Sequence, residues 1–117
     1  MKYLCLVYGE LSTLTGLSQA DARALTEESL DYDEALQKRG HFIAAQALEP
    51  VRAAKTVRVR NGKVAVTDGP FAETKEQLLG FVLIEAPNHA EAIKVGAGIP
   101  LARLGSVEVR PIKELAR

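Results

Sequence analysis

Side chains that could take part in catalysis or ligand binding are concentrated in the segment Thr67–Glu76, which reads Thr-Asp-Gly-Pro-Phe-Ala-Glu-Thr-Lys-Glu. Asp68 follows a strand-like segment. Gly69 permits an unusual backbone conformation, and Pro70 fixes its own φ. Two interpretations of Asp68 follow. Its carboxylate accepts backbone N–H groups in an Asx-type turn, or it acts as a general base or ligand anchor in a pocket beneath a subunit interface.

The neighbouring side chains also allow two interpretations each. Phe71 is predicted to plug the core, with stacking on a substrate as the alternative. Glu73 and Lys75 either orient a polar ligand, together with Glu76, or belong to a solvated loop or an intersubunit ion pair. Tyr8 ends the first strand, where its hydroxyl either enters the same cavity or bonds to backbone. The predicted ligand-binding residues are Tyr8, Asp68, Gly69, Pro70, Phe71, Glu73 and Lys75, and the catalytic candidate is Asp68.

The sequence predicts neither a metal site nor a cofactor. Cys5, His41 and His89 lack the spacing of a tetrahedral zinc site. Gly96 and Gly98 lie within or after a helix, whereas a dinucleotide fingerprint follows a strand and opens a helix. Fifteen Lys and Arg balance fifteen Asp and Glu, so no overall field attracts nucleic acid or an anionic membrane. We therefore predict no metal, no cofactor, no membrane partner and no nucleic-acid partner.

The composition is that of one ordered domain. The chain has 117 residues, of which 47% are hydrophobic and 26% are charged, the ordinary balance of a globular protein. Its single cysteine excludes an internal disulfide and fits a reducing compartment. No apolar run approaches the roughly 20 residues of a membrane span, and Met1-Lys2 leads into a strand without a signal-peptide pattern. We expect a cytoplasmic protein.

Periodicity predicts the elements that position these residues. The predicted strands are 2–8, 41–46, 56–60, 63–67, 78–86 and 106–110. A helix of about twenty residues runs from the N-cap Ser18 to Gly40, and a shorter helix follows the N-cap Asn88. Asn61-Gly62 predicts a type I′ hairpin between two alternating segments, and Glu10–Leu17 is predicted to be a loop.

The element order predicts a fold class and a partner. With the hairpin set aside, the order is βαββαβ, which is typical of a ferredoxin-like α+β fold. Such a fold places two helices on one face of an antiparallel sheet. Because the other face needs a cover, we predict a homodimer in which two sheets pack face to face.

A basic segment, Arg52–Lys63, contains no acidic residue, and alternation places Arg58 and Arg60 on one side of the hairpin. The simpler interpretation is a charged edge that prevents sheet-to-sheet aggregation. Binding to RNA would require aromatic residues among the basic ones, and none lies between Phe42 and Phe71.

The sequence Asp68-Gly69-Pro70-Phe71 resembles the motif of the DGPF subgroup of the YCII-related family. The resemblance extends over most of the chain, through Met1–Leu4, Tyr8-Gly9, Gly80–Ala86, Glu91-Ala92 and Gly105–Pro111. It implies a ferredoxin-like fold, a dimeric α+β barrel and a cytoplasmic bacterial protein. It implies little about activity, although genes of such proteins often lie beside those of extracytoplasmic-function sigma factors. The His and Asp pair of some relatives has no clear histidine counterpart here, so that pair is not transferred.

Two functions fit these observations. The first is a small-molecule pocket between helices and sheet, with or without catalysis, in which Asp68 and Tyr8 line the polar end. The alternative is a noncatalytic regulatory or interaction module linked to a sigma factor, which binds through the basic hairpin. In that case the Asp68 loop is purely structural.

Overall fold

In the first strand, buried residues alternate with partly exposed ones. Strand β1 (Lys2–Gly9) buries Tyr3, Cys5 and Val7, which are 1%, 0% and 4% exposed. The computed structural model describes residues 1–117. The elements after β1 are α1 (Leu11–Thr15), α2 (Gln19–Lys38), β2 (Phe42–Ala47), β3 (Lys55–Arg60), β4 (Lys63–Asp68), β5 (Gln77–Glu85), α3 (His89–Gly98) and β6 (Ser106–Pro111). Two 3₁₀ turns occur, at Val51–Ala53 and Pro100–Arg103.

Four antiparallel strands form the main sheet in the order β2-β5-β1-β6, while β3 and β4 form a separate two-stranded sheet. The register sets Cys5 opposite Val82 of β5 and Val109 of β6. Apolar side chains of neighbouring strands therefore lie on the same side of the sheet and pack together. The chain is a mixed α+β structure with antiparallel sheets and three α-helices, as the element order predicted at this level.

Both predicted helix caps are confirmed. The Ser18 hydroxyl accepts the backbone N–H of Asp21 at 3.0 Å, and the Asn88 side chain accepts that of Glu91 at 2.9 Å. Each cap satisfies a donor that the first helical turn leaves without a partner. No helix of the chain is long and apolar enough to span a membrane.

Helices α2 and α3 cover one face of the main sheet. Leu36 of α2 and Val95 of α3 join one core cluster with Val82 and Ile84 of β5. The molecule is 19 Å across in its thinnest direction, which leaves room for a sheet and a single layer of helices about 10 Å in diameter. The other side of the sheet, which we call the open face, is apolar at its centre. Its partly exposed central side chains are Leu4, Leu6, Phe81 and Leu83.

The hairpin of β3 and β4, which we call the arm (Lys55–Asp68), projects from this two-layered body. Asn61 and Gly62 have φ angles of 52° and 73°, as a type I′ turn requires, so the predicted hairpin is confirmed. Every residue of β4 is exposed. The Cα radius of gyration is 16.2 Å, compared with about 13 Å for a compact chain of this length.

The prediction that Glu10–Leu17 is a loop is wrong, because the segment contains the short helix α1. Leu11 and Leu14 lie one helical turn apart and both are partly buried. Leu14 lines a shallow cleft together with Leu79 and Leu101. Since helices of five residues are unstable alone, contact with the sheet stabilises this one.

Candidate functional site

Tyr8 lies where β1 ends, on the open face. It stands opposite Leu78 of β5 and Ser106 of β6, and a β-bulge interrupts the β1–β5 register between Val7 and Tyr8. Bulges of this kind redirect side chains and are common beside functional sites. The Tyr8 ring is partly exposed, and its hydroxyl neither forms a hydrogen bond within the chain nor is buried. It is therefore accessible to a ligand.

Polar side chains from three other segments collect at the same end of the sheet. The Ser106 hydroxyl lies 3.3 Å from both carboxylate oxygens of Glu76. The Lys75 ammonium lies 3.6 Å from the Glu10 carboxylate, just beyond β1. We call these residues the strand-end cluster: Tyr8, Glu10, Lys75, Glu76 and Ser106. The cluster holds hydroxyl donors, two carboxylate acceptors and one cation at the rim of an apolar surface.

A glycine allows β6 to start beside Tyr8. An ideal Cβ built on Gly105 would lie 2.1 Å from the Tyr8 carbonyl oxygen, which no side chain can accommodate. The close approach of the two backbones sets the position of Ser106 against Tyr8. The local sequence Gly105-Ser106 therefore fixes one wall of the cluster.

Asp68 lies at the base of the arm and forms no hydrogen bond or ion pair with this cluster. Its carboxylate accepts a hydrogen bond from the Lys55 ammonium and none from a backbone N–H. The loop base is held instead by the N–H of Gly69, which donates to the Ala54 carbonyl at 2.8 Å. The Thr56 hydroxyl adds a bond to the Gly69 carbonyl, also at 2.8 Å. The Asx-turn interpretation of Asp68 is therefore wrong. The backbone bond between Gly69 and Ala54 holds the base of the loop in place of the Asp68 carboxylate.

The remaining predicted site residues follow Asp68 in the loop. Gly69 has a φ of +95°, in the region that favours glycine, and Pro70 is partly buried. Phe71 is 82% exposed, so the prediction that it plugs the core is wrong: no element of this chain lies over the arm base. Glu73 is exposed and forms no ion pair.

Apart from Glu73, which is exposed between them, the predicted residues fall into two groups. Tyr8 and Lys75 lie at the strand-end cluster, while Asp68, Gly69, Pro70 and Phe71 lie at the arm base. Sequence reasoning missed Ser106 and Glu10, which belong to the cluster. The antiparallel pairing of β6 with β1 brings Ser106 to Tyr8, so the strand order was the signal that could have found it.

A cleft lies elsewhere, between α3 and β6. It has a volume of about 330 Å³ and contains none of the predicted residues; its lining includes His89, Ile93, Val107 and Val109. The His89 ring contacts that of Tyr3 with centroids 5.4 Å apart. No three His, Cys, Asp or Glu side chains are grouped so that they could hold a metal ion.

The sequence of this chain is similar to those of known proteins. Residues 1–116 match the family described as YCII-related domain. A protein of Rhizobium meliloti (strain 1021), named Uncharacterized protein R00369, is 35% identical over 114 residues. The match covers 96% of this chain and 92% of that protein, so it includes both the strand-end cluster and the arm.

Proposed function

This chain belongs to the YCII-related family, and we propose that it is a homodimer that binds a small polar molecule at the strand-end cluster. The relative that it matches is itself uncharacterised, so the proposal depends on the geometry of the site. The single observation that carries it is the Tyr8 hydroxyl, which has no hydrogen-bond partner in the chain. Tyr8 is opposed to Ser106 on the neighbouring strand, and the Ser106 hydroxyl bonds to the Glu76 carboxylate.

The chemistry of the cluster suits a ligand with both polar and apolar parts. Leu6 and Phe81, paired across the strands next to Tyr8, offer an apolar floor. Glu76 accepts hydrogen bonds, and the Tyr8 and Ser106 hydroxyls can both donate and accept. A carboxylate and a tyrosine at the same end of the sheet also provide the groups for acid–base chemistry, which makes catalysis compatible with the site.

The proposed dimer would enclose this site. Strand order supports a ferredoxin-like unit, because β2-β5-β1-β6 without the arm is the order 2-3-1-4 of a βαββαβ chain. The sequence Asp68-Gly69-Pro70-Phe71 supports the DGPF subgroup. Two open faces packed together would bury Leu4, Leu83 and the apolar floor, and would convert an open rim into a cavity. We place this homodimer in the cytoplasm.

A thermal shift screen with small carboxylic acids, amines and sugars tests the binding site. We expect some of these compounds to raise the melting temperature of the wild type but not of Tyr8→Phe, because the variant lacks the hydroxyl. Tyr3→Phe is the matched control, since it makes the same change on the helix-covered face. The Asp68→Ala variant reports separately whether the arm base contributes.

Two results would contradict the proposed site. If the compounds stabilise Tyr8→Phe as much as the wild type, the hydroxyl is not part of it. Light scattering that shows a monomer at micromolar concentration would remove the dimer, and with it the enclosure of the cluster.

One observation favours the alternative function, a noncatalytic module that binds a partner such as a sigma factor. Arg58 and Arg60 lie on the same side of the projecting arm, together with Lys63, and all three are exposed. A pull-down with the double variant Arg58→Glu and Arg60→Glu discriminates the two functions. Undiminished capture of the partner by that variant would reject the basic surface.

A further inference from the structure

The arm has two chemically distinct faces. Side chains on one side of a hairpin come from directly opposed residues, and the register pairs Val57 with Val66 and Val59 with Val64. All four valines are exposed, by 61%, 62%, 56% and 68% in that order. We call this side the valine face. The opposite side carries Arg58, Arg60 and Lys63, so only one side of the arm is suited to solvent.

The valine face needs a cover that its own chain does not provide. The arm strands pair only with each other, and an isolated two-stranded hairpin is marginally stable in water. A contiguous apolar patch of this kind marks an interaction surface. The patch also shares its side with the two residues at the arm base, because Lys55 and Asp68 are opposed to each other in the same alternation.

Symmetry favours a second copy of this chain as the cover. A twofold arrangement would use both arms in the same way and would close without leaving a free valine face.

The area of the open face points to the same occupant. Four strands about 4.8 Å apart, with about six residues each rising about 3.3 Å, give a flat footprint of roughly 400 Å². A stable interface buries about 800 Å² on each partner. The valine face adds a footprint of roughly 200 Å² by the same spacing, so the arm adds about half as much again to the area that a second copy would cover.

We propose that the arm of each protomer lies on the second copy with its valine face inward, and that Asp68 thereby completes the strand-end cluster of the partner. This rests on the homodimer proposed above. It accounts for the lack of any hydrogen bond or ion pair between Asp68 and the cluster within one chain, because the two groups would meet between chains. The ligand site would then contain residues of both protomers.

The first experiment measures dimer dissociation by analytical ultracentrifugation of the full chain. Val57→Ser with Val66→Ser removes one cross-strand pair from the valine face, which is four valines in a dimer. We expect a dissociation constant about 100-fold higher, from about a threefold effect for each of the four half-exposed valines. Arg58→Ser with Ala65→Ser is the matched control, because it changes the neighbouring pair on the other side of the arm, and it should leave the constant within about threefold.

The outcomes separate this inference from the homodimer itself. If the wild type is a dimer and the valine variant dissociates like the control, the valine face is not at the interface and the inference fails while the dimer stands. If the wild type is a monomer throughout the micromolar range, both fail. Circular dichroism of each variant verifies that the body remains folded.

A second experiment tests the position of Asp68. The double variant Asp68→Cys with Ser106→Cys is treated with a short bis-maleimide, and the native Cys5 is buried and does not compete. We expect a covalent dimer on a denaturing gel, because each arm base would meet the partner's strand end. A product of monomer mass that carries an internal crosslink, or the absence of any crosslink, would overturn the inference.

Discussion

Removal of one hydroxyl should test the connection between the two main helices. The Tyr32 hydroxyl on α2 donates a hydrogen bond to the Val95 carbonyl of α3 at 2.6 Å. The N–H of Ile99, which would bond to that carbonyl in a continuing helix, bonds to Gly96 instead. Tyr32→Phe therefore deletes a bond to a partly buried acceptor at a helix end. We expect the free energy of unfolding to fall by about 1–3 kcal/mol.

The same hydroxyl should give a pH dependence of known sign. Burial raises the pKa of Tyr32 above its ordinary value of 10.0, and this effect outweighs the opposing influence of Arg39. A group whose pKa is higher in the folded state stabilises the fold below its unfolded pKa, and this stability is lost as the pH rises through the folded pKa. The wild type should therefore lose stability above about pH 10, and Tyr32→Phe should lose less.

Urea unfolding of both proteins at neutral pH and above pH 10 measures the two effects. Tyr3→Phe is the control at neutral pH, because the Tyr3 hydroxyl contacts only the Met1 sulfur, at 3.7 Å, and a thioether is a weak acceptor. If Tyr32→Phe lowers the free energy of unfolding no more than Tyr3→Phe does, the role of the bond is refuted. An equal loss of stability at high pH in wild type and Tyr32→Phe would refute the effect of burial on the tyrosine.

Three further predictions concern single side chains. Gly105→Ala should lower the unfolding free energy by more than about 2 kcal/mol in urea titrations, since its Cβ would lie 2.1 Å from the Tyr8 carbonyl oxygen; a cost near zero would mean that β6 shifts freely. Burial raises the pKa of Asp33, so Asp33→Asn should raise the melting temperature at pH 7, and this gain should vanish below the unfolded pKa of about 3.9. Burial raises the pKa of the Cys5 thiol to about 11, so at pH 8 a disulfide reagent should label it only as fast as the protein opens; rapid labelling without denaturant would contradict the burial.

The sequence predicted those elements that short-range chemistry determines. Asn61-Gly62 determines the hairpin because few residue pairs accept positive φ at both central turn positions. Ser18 and Asn88 determine two helix starts because their side chains bond to backbone N–H groups only three residues away. Helix α1 was missed because its five residues depend on contact with the sheet, which periodicity does not reveal.

The candidate site was less predictable because it depends on contacts between distant segments. Asp68 was expected to accept backbone N–H groups of its own loop, yet the Gly69 N–H is taken by the Ala54 carbonyl, fourteen positions before Asp68. Phe71 has the composition of a core residue, but burial requires a neighbouring wall, and the arm base has none within the chain. Tyr8 was identified correctly as a strand-end residue, while its partner Ser106 became evident only from the strand order.

The two uncovered apolar surfaces of this chain are best explained together. The open face alone could be a ligand platform, and the valine face alone could dock a foreign protein. A single monomer that exposes both, however, would present a two-stranded sheet with free edges and four exposed valines, which invites uncontrolled pairing. Association of two copies covers both surfaces at once and leaves the basic side of each arm in solvent. Cover by a foreign partner would protect only the arm, so loss of dimerisation and loss of solubility should appear together in valine-face variants if the second copy is the cover.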